Sequence, residues 1–140
     1  MPRFPCILTA LCLAVFLPAS GAAESPQLPG TLLNLGEQYF MQYCSACHGA
    51  DATGNGPVAP VLRTAPADLT RIAQRRGGQF PDAEIATFID GQADVRAHGP
   101  RDMPVWGRRF ADKFGGGTVG EEFARGHLLI LIEYLKSIQK

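Results

Sequence analysis

Residues 36–48 read GEQYFMQYCSACH, and the last five residues of this run form the most specific motif in the chain. Cys44 and Cys47 are separated by two residues, and His48 follows directly. On a helical turn, two thiols at this spacing can each add across one vinyl group of a porphyrin, while the imidazole presents a nitrogen to the iron. The run therefore predicts covalent attachment of one haem of the c type.

A pair of cysteines at this spacing has two other common uses. A thioredoxin-like dithiol needs strands and helices in alternation around the motif, and a structural zinc site needs a second pair of ligands. The other two cysteines, Cys6 and Cys12, lie in an apolar N-terminal segment, so only Cys44 and Cys47 remain. Outside the cytosol a free dithiol tends to form a disulfide, whereas thioether bonds to haem are inert there. These arguments favour haem.

The N-terminal segment has the three parts of a secretory signal. Arg3 supplies a positive charge, residues 6–17 are almost wholly apolar, and residues 18–23 provide the small side chains that a signal peptidase selects. The apolar run is shorter than the stretch of about 20 residues that spans a membrane, so an uncleaved anchor is the less favoured alternative. Leu11 before Cys12 disfavours lipid attachment. We expect a signal peptide over residues 1–23 and a periplasmic protein.

The charge of the chain is balanced. It has 140 residues with 13 basic and 13 acidic side chains, and removal of the signal takes away only Arg3, which leaves a formal charge of −1. Nothing in this balance indicates binding to nucleic acid or to an anionic membrane surface. A single small domain is expected, and a core of this size would gain from a large buried cofactor.

The remainder of the chain predicts helices joined by long loops. Residues 24–30 are expected to form a flexible leader and residues 31–140 the domain. Apolar residues recur at intervals of three and four from Thr31 to about Ala46, which predicts the first helix. Either Thr31 or Asn34 could cap its start. Pro81 to Gly91 predicts a middle helix.

A capping box at Thr118–Glu121 predicts the start of a long final helix. Its expected apolar stripe consists of Phe123, His127, Leu131, Tyr134, Leu135 and Ile138. The segments 49–69 and 91–117 are rich in glycine and proline and are expected to be loops. No segment shows the strict alternation of a half-buried strand, so the predicted fold is all-α.

In these features the chain resembles the class I cytochromes c, specifically the small soluble bacterial members with one haem, over residues 31–138. Gly36 and Phe40 precede CSACH at that family's spacing of four, and the final helix contains LIEYLK with Leu131 and Tyr134 at the matching positions. The resemblance implies that the first and last helices cross closely, with a middle helix and long loops wrapped round the haem. Gly36 has no side chain, so another backbone can approach there.

The resemblance also implies further contacts of the haem. Residues 102–107, DMPVWG, resemble the loop in which a methionine sulfur binds the iron face opposite the histidine, which makes Met103 the second axial ligand beside His48. The pair Gly56-Pro57 resembles the family's glycine-proline step, in which the proline carbonyl accepts a hydrogen bond from the haem histidine. The resemblance therefore implies that the Pro57 carbonyl accepts from Nδ1–H of His48. Trp106 is expected to pack against the haem with its N–H free to meet a propionate.

Other residues compete for these roles. His98, five residues before Met103, is the alternative ligand. Met41 lies on the helix of Cys44, and His127 lies on the final helix, so packing is the preferred interpretation of both. The cationic candidates for the propionates are Arg63, Arg71, Arg75 and Arg76, although solvated positions are expected for most of them.

With both axial positions filled, no substrate reaches the iron, so the resemblance implies a carrier of single electrons and not an enzyme. The expected partners are redox proteins, a donor dehydrogenase or reductase and an acceptor oxidase, met by a monomer or within a transient complex. Two alternatives stay open. The chain could be the haem c subunit of a periplasmic dehydrogenase or oxidase complex, or a haem enzyme or gas sensor in which Met103 does not bind.

Overall fold

The computed structural model describes residues 29–91 and 103–140. Within these residues the chain forms α-helices, two single 3-10 turns at Ala59–Val61 and Leu69–Arg71, and no strand, which confirms the predicted all-α class. The helices are α1 Gly30–Tyr43, α2 Ser45–His48, α3 Ile72–Arg75, α4 Asp82–Asp90, α5 Trp106–Lys113 and α6 Gly117–Ser137. The predicted signal over residues 1–23, the leader up to residue 28 and His98 lie outside the described residues.

The close crossing of the first and last helices is confirmed. A Cβ atom placed on Gly36 would lie 2.7 Å from both the Ile130 carbonyl oxygen and the Tyr134 Cβ, so α1 and α6 meet at backbone distance. One turn later Phe40 is fully buried, with its ring centroid 5.5 Å from that of Tyr134. Leu131 belongs to the same hydrophobic cluster.

The middle helix is also confirmed. Gly91 follows α4 with a φ of +87°, in the left-handed region that favours glycine, and its amide donates to the Thr87 carbonyl. The Lys136 ammonium lies 2.9 Å from an Asp82 carboxylate oxygen and so joins the start of α4 to the end of α6.

Helix α5 was not predicted, because it lies inside the segment 91–117 that was expected to be a loop. Trp106 and Phe110 are four residues apart and share one face, while Arg109 and Lys113 are among the charged residues between and after them. This apolar spacing covers only one helical turn, and the glycines and prolines of the surrounding segment favour a loop. Phe110 is almost fully buried, and α5 packs mainly on α6.

The start of α6 differs from the predicted capping box. The helix begins at Gly117, after Gly116, and no side chain caps it. Gly115, Gly116 and Gly117 all have positive φ, so a glycine turn directs the chain into α6 and Thr118 is already inside the helix. Likewise α1 follows Pro29 without a side-chain cap from Thr31 or Asn34.

The buried face of α6 is shifted from the predicted stripe. Phe123 is 52% exposed, whereas Leu131 and Leu135 are buried as expected. The residues of α6 that are buried are Gly120, Ala124, Leu128, Leu131, Ile132 and Leu135. Small residues near the start of α6 allow α5 to approach closely, since a Cβ on Gly120 would collide with the Ala111 carbonyl oxygen. No helix in the described parts of the chain is long and apolar enough to cross a membrane.

Candidate haem-binding site

The motif CSACH spans a break between two helices. Helix α1 ends at Tyr43, Cys44 adopts a φ of −118°, and the remaining four residues form α2, where the first helix was expected to continue to Ala46. The Cys44 amide still bonds the Phe40 carbonyl, at 2.8 Å, and the His48 amide bonds the Cys44 carbonyl, at 2.9 Å. Cys44 is therefore a joint that remains hydrogen-bonded on both sides.

The loop after the motif satisfies the carbonyl end of α2. The last four carbonyl groups of a helix have no partner inside it. In α2, all four accept hydrogen bonds from amides of the following residues, over 2.7–3.1 Å. The pairs are Gly49 to Ser45, Val58 to Ala46, Gly56 to Cys47 and Gly54 to His48. The loop thus closes back on the motif and holds its three functional side chains on a fully bonded backbone.

The loop approaches α2 most closely at Gly56. A Cβ on Gly56 would clash with the carbonyl oxygens of Ser45 and Ala46, so no other residue fits without displacing α2. Pro57, which has no N–H, stands between the two donors Gly56 and Val58. The sequence indicated this glycine-proline step but not its use as the cap of α2.

The imidazole of His48 meets a different carbonyl from the predicted one. Its Nδ1 lies 3.0 Å from the carbonyl oxygen of Ala67, so the expected pairing with Pro57 is corrected. The amides of Gly56 and Val58 cap α2 instead. The chain reaches the His48 imidazole only at Ala67, ten residues after Pro57. Because a carbonyl only accepts, Nδ1 carries the proton and Nε2 keeps a free lone pair. That tautomer is the one that a metal-binding histidine needs.

Burial also favours the neutral ring. It lowers the pKa of His48 below the usual 6.5, and the hydrogen bond to the Ala67 carbonyl acts in the opposite direction. The imidazole therefore stays neutral at neutral pH, with its lone pair available.

The two thiols are free and half-buried. Burial, with a smaller contribution from Cys47, raises the pKa of Cys44 to about 12, so in the haem-free chain this sulfur is a protonated thiol. Among residues 29–91 and 103–140, no three His, Cys, Asp or Glu side chains group together as ligands for a metal ion. A tetrahedral zinc site of the kind considered for this cysteine pair is thus not formed there.

An aromatic cluster joins the motif to the Met103 segment. The ring of Tyr43, directly before Cys44, lies 5.5 Å from that of Trp106 and 5.0 Å from that of Phe110. Met103, three residues before Trp106, is half-buried against the hydrophobic core. The hydroxyl of Tyr43 also accepts a hydrogen bond from Lys113, at 2.6 Å. α5 is thereby fixed against the end of α1, which brings the Met103 segment to the same part of the fold as CSACH.

The remaining candidates have other contacts. His127 stacks on Tyr39, with centroids 4.4 Å apart, and its Nδ1 lies 3.0 Å from the Phe123 carbonyl oxygen, which agrees with the packing interpretation. Met41 is 45% exposed on α1. Trp106 carries the Arg109 guanidinium 5.5 Å above its ring, and its contact with haem stays a prediction.

The four arginines proposed for the propionates also have protein partners. Arg71 and Arg75 meet Asp68, through its carboxylate and its backbone carbonyl respectively, and Arg76 pairs with Glu84. Arg63 has a partner as well. Their pairing with propionates stays a prediction.

These groups fit a covalently held haem. Two free thiols at the required spacing, a neutral histidine with its Nδ1 bonded to a carbonyl, and a half-buried methionine supply every donor that such a group needs. Thioether formation would also remove the ionisable thiol of Cys44 from its buried position.

Comparison with known proteins agrees with this chemistry. The chain matches the model of the cytochrome c family over residues 33–113, which is more than half of its length and runs from α1 to the end of α5. No curated protein and no solved structure matches it significantly. The matched span includes the CSACH motif, Ala67 and Met103. The chain therefore belongs to the cytochrome c family, whose members bind haem c covalently and transfer electrons.

Proposed function

We propose that this chain is an exported cytochrome c with a single haem that carries one electron at a time between redox proteins. The observation that carries the proposal is the hydrogen bond between His48 Nδ1 and the Ala67 carbonyl, because it prepares Nε2 as an axial ligand directly beside the two attachment thiols. The chain holds one CxxCH motif, which supports one haem.

The axial pair His48 and Met103 supports transfer over catalysis. Bound haem supplies an iron that alternates between the ferric and ferrous states. His48 and Met103 would bind the iron, and Cys44 and Cys47 would attach the porphyrin covalently. A soft thioether favours the reduced iron, so this pair gives a higher reduction potential than two histidines would. With both ligands bound, the iron would have no open position for a substrate.

Features of the sequence support the location. The N-terminal segment has a positive residue, an apolar run and small residues before Glu24, in the order of a cleavable signal. Outside the cytosol, thioether bonds protect the cysteine pair from disulfide formation. We therefore assign the protein to the periplasm, with a donor dehydrogenase or reductase and an acceptor oxidase as partners. A stable complex on purification would instead identify a fixed subunit of such an enzyme.

The test of the ligand assignment is the optical spectrum of the oxidised protein. Methionine sulfur on ferric haem gives a weak charge-transfer band in the near infrared, and we expect this band at neutral pH. It should be lost in Met103→Ala and retained in the control Met41→Ala, since Met41 is an exposed residue of α1. A wild-type spectrum without the band would refute Met103 as the ligand and favour an enzyme or gas sensor with an open sixth position.

A further inference from the structure

The two residues Gln139 and Lys140, which follow α6, are hydrogen-bonded to the segment just after Ala67. The side-chain Nε2 of Gln139 donates to the Leu69 carbonyl, at 2.8 Å, and its Oε1 accepts from the Ala73 amide, at 2.9 Å. The backbone amide of Lys140 donates to the Thr70 carbonyl, at 2.9 Å. Gln139 and Lys140 are thus bonded to residues that lie 66 to 70 positions earlier in the sequence.

Gln139 bonds a carbonyl and an amide, those of Leu69 and Ala73, that would otherwise pair with each other. In a continuous α-helix, the Ala73 amide would donate to the Leu69 carbonyl, four residues before it. At this point the 3-10 turn Leu69–Arg71 passes into α3, and the amide of Gln139 lies between the two groups. A third bond, from Nε2 to the Leu135 carbonyl at 2.6 Å, fixes the glutamine to the last turn of α6. Gln139 therefore joins the turn, α3 and α6 at one place.

The same segment is held from the side of the haem motif. The Leu69 amide donates to the carbonyl of Ala52, at 2.8 Å, in the loop that caps α2. The Asp68 carboxylate accepts from the Thr70 amide, at 2.9 Å, and from the Thr70 hydroxyl, at 2.6 Å. Thr70 is buried. Ala67, directly before this structure, presents its carbonyl to His48.

We infer that Gln139 is a positioning residue for the haem histidine. Its side-chain amide holds residues 69–73, and through them it sets how firmly the Ala67 carbonyl accepts the Nδ1 proton of His48. The inference rests on the proposed role of His48 as an iron ligand. A firm acceptor at Nδ1 makes the imidazole a stronger donor to the metal and stabilises the ferric state. Loss of the Gln139 bonds should therefore raise the reduction potential.

The variant Gln139→Met tests this, because methionine has a similar length and makes none of the three bonds. The control is Gln74→Met, the same substitution at an exposed position of α3. In the reduced protein, NMR gives the rate at which the His48 Nδ1 proton exchanges with solvent. We expect about ten-fold faster exchange in Gln139→Met, the equivalent of weakening one hydrogen bond, and a higher reduction potential. Gln74→Met should change neither quantity.

A second variant, Gln139→Glu, keeps the shape of the side chain and the acceptor for the Ala73 amide. Its carboxylate oxygen cannot donate to the Leu69 carbonyl, so that hydrogen bond is lost. It should shift both quantities in the same direction as Gln139→Met. If both haem-loaded variants keep the wild-type exchange rate and potential, while only their melting temperatures fall, Gln139 is structural and the inference is overturned. Absence of covalent haem from the wild-type protein, seen in its mass before any variant is compared, would instead refute the proposed function, and this inference with it.

Discussion

At the scale of single residues, one hydrogen bond determines which nitrogen of His48 can bind a metal. The Ala67 carbonyl accepts a hydrogen bond from Nδ1–H, so the proton stays on Nδ1 and the free lone pair is on Nε2. Cys44, Cys47 and His48 were predictable because their chemistry lies within five consecutive residues. The partner of His48 was not, since Ala67 is 19 residues away and only the folded loop brings it to the ring. The resemblance of Gly56-Pro57 to the family's glycine-proline step implied Pro57 instead.

The residue that follows Ala67 gives a prediction for the pH dependence of stability. Hydrogen bonds from the Thr70 hydroxyl and amide, with the charges of Arg71 and Lys140, lower the pKa of Asp68 below its usual 3.8. A carboxylate with a lowered folded-state pKa stabilises the protein above its ordinary pKa, and this contribution is lost as the pH falls through the folded-state value. We therefore expect the stability advantage of wild type over Asp68→Asn to shrink as the solution is acidified below pH 3.8.

The comparison uses asparagine because it keeps an acceptor oxygen for Thr70 and removes only the titration. Denaturant unfolding of both proteins at a series of pH values gives the difference in their free energies of unfolding. A difference that stays constant from neutral pH to well below the usual aspartate pKa would contradict this role of Asp68.

At the scale of elements, periodicity predicted the helices that are long or clearly bounded. α1, α4 and α6 were expected, and the crossing at Gly36 followed from the resemblance in the first and last helices. α5 was missed because eight residues with one pair of aromatic side chains give a weak period between glycines. The phase of α6 was misjudged near its start, where the glycine turn at residues 115–117 sets the helix and leaves Phe123 exposed.

Two glycines in helices allow a matched test of the crossing between α1 and α6. Gly36→Ala adds a methyl group 2.7 Å from the Ile130 oxygen and from Tyr134, while Gly126→Ala adds one where nothing lies within 4 Å. We expect Gly36→Ala to destabilise the protein by about 1–3 kcal/mol through overpacking. Gly126→Ala should be neutral or stabilise it by up to about 1 kcal/mol, because alanine favours the helix.

Thermal or denaturant unfolding of the two variants beside wild type measures both effects. Equal gains in stability for Gly36→Ala and Gly126→Ala would show that the two helices do not approach as closely as described.

At the scale of the whole molecule, the fold brings together two parts of the site that are far apart in the sequence. The attachment motif lies at the end of α1, the Met103 segment precedes α5, and the cluster of Tyr43, Trp106 and Phe110 holds them together. The final helix packs on both α1 and α5. Periodicity could predict the class of fold, and the CSACH motif could predict the cofactor. They could not predict these contacts, which depend on how the loops close.

The most direct test of the central claim is the covalent mass of the protein after export from a host that assembles c-type cytochromes. We predict the mass of a chain that begins at Glu24 and carries one haem. Replacement of both Cys44 and Cys47 by alanine should return the mass to that of the bare chain. A wild-type protein whose mass equals the bare polypeptide would contradict the account.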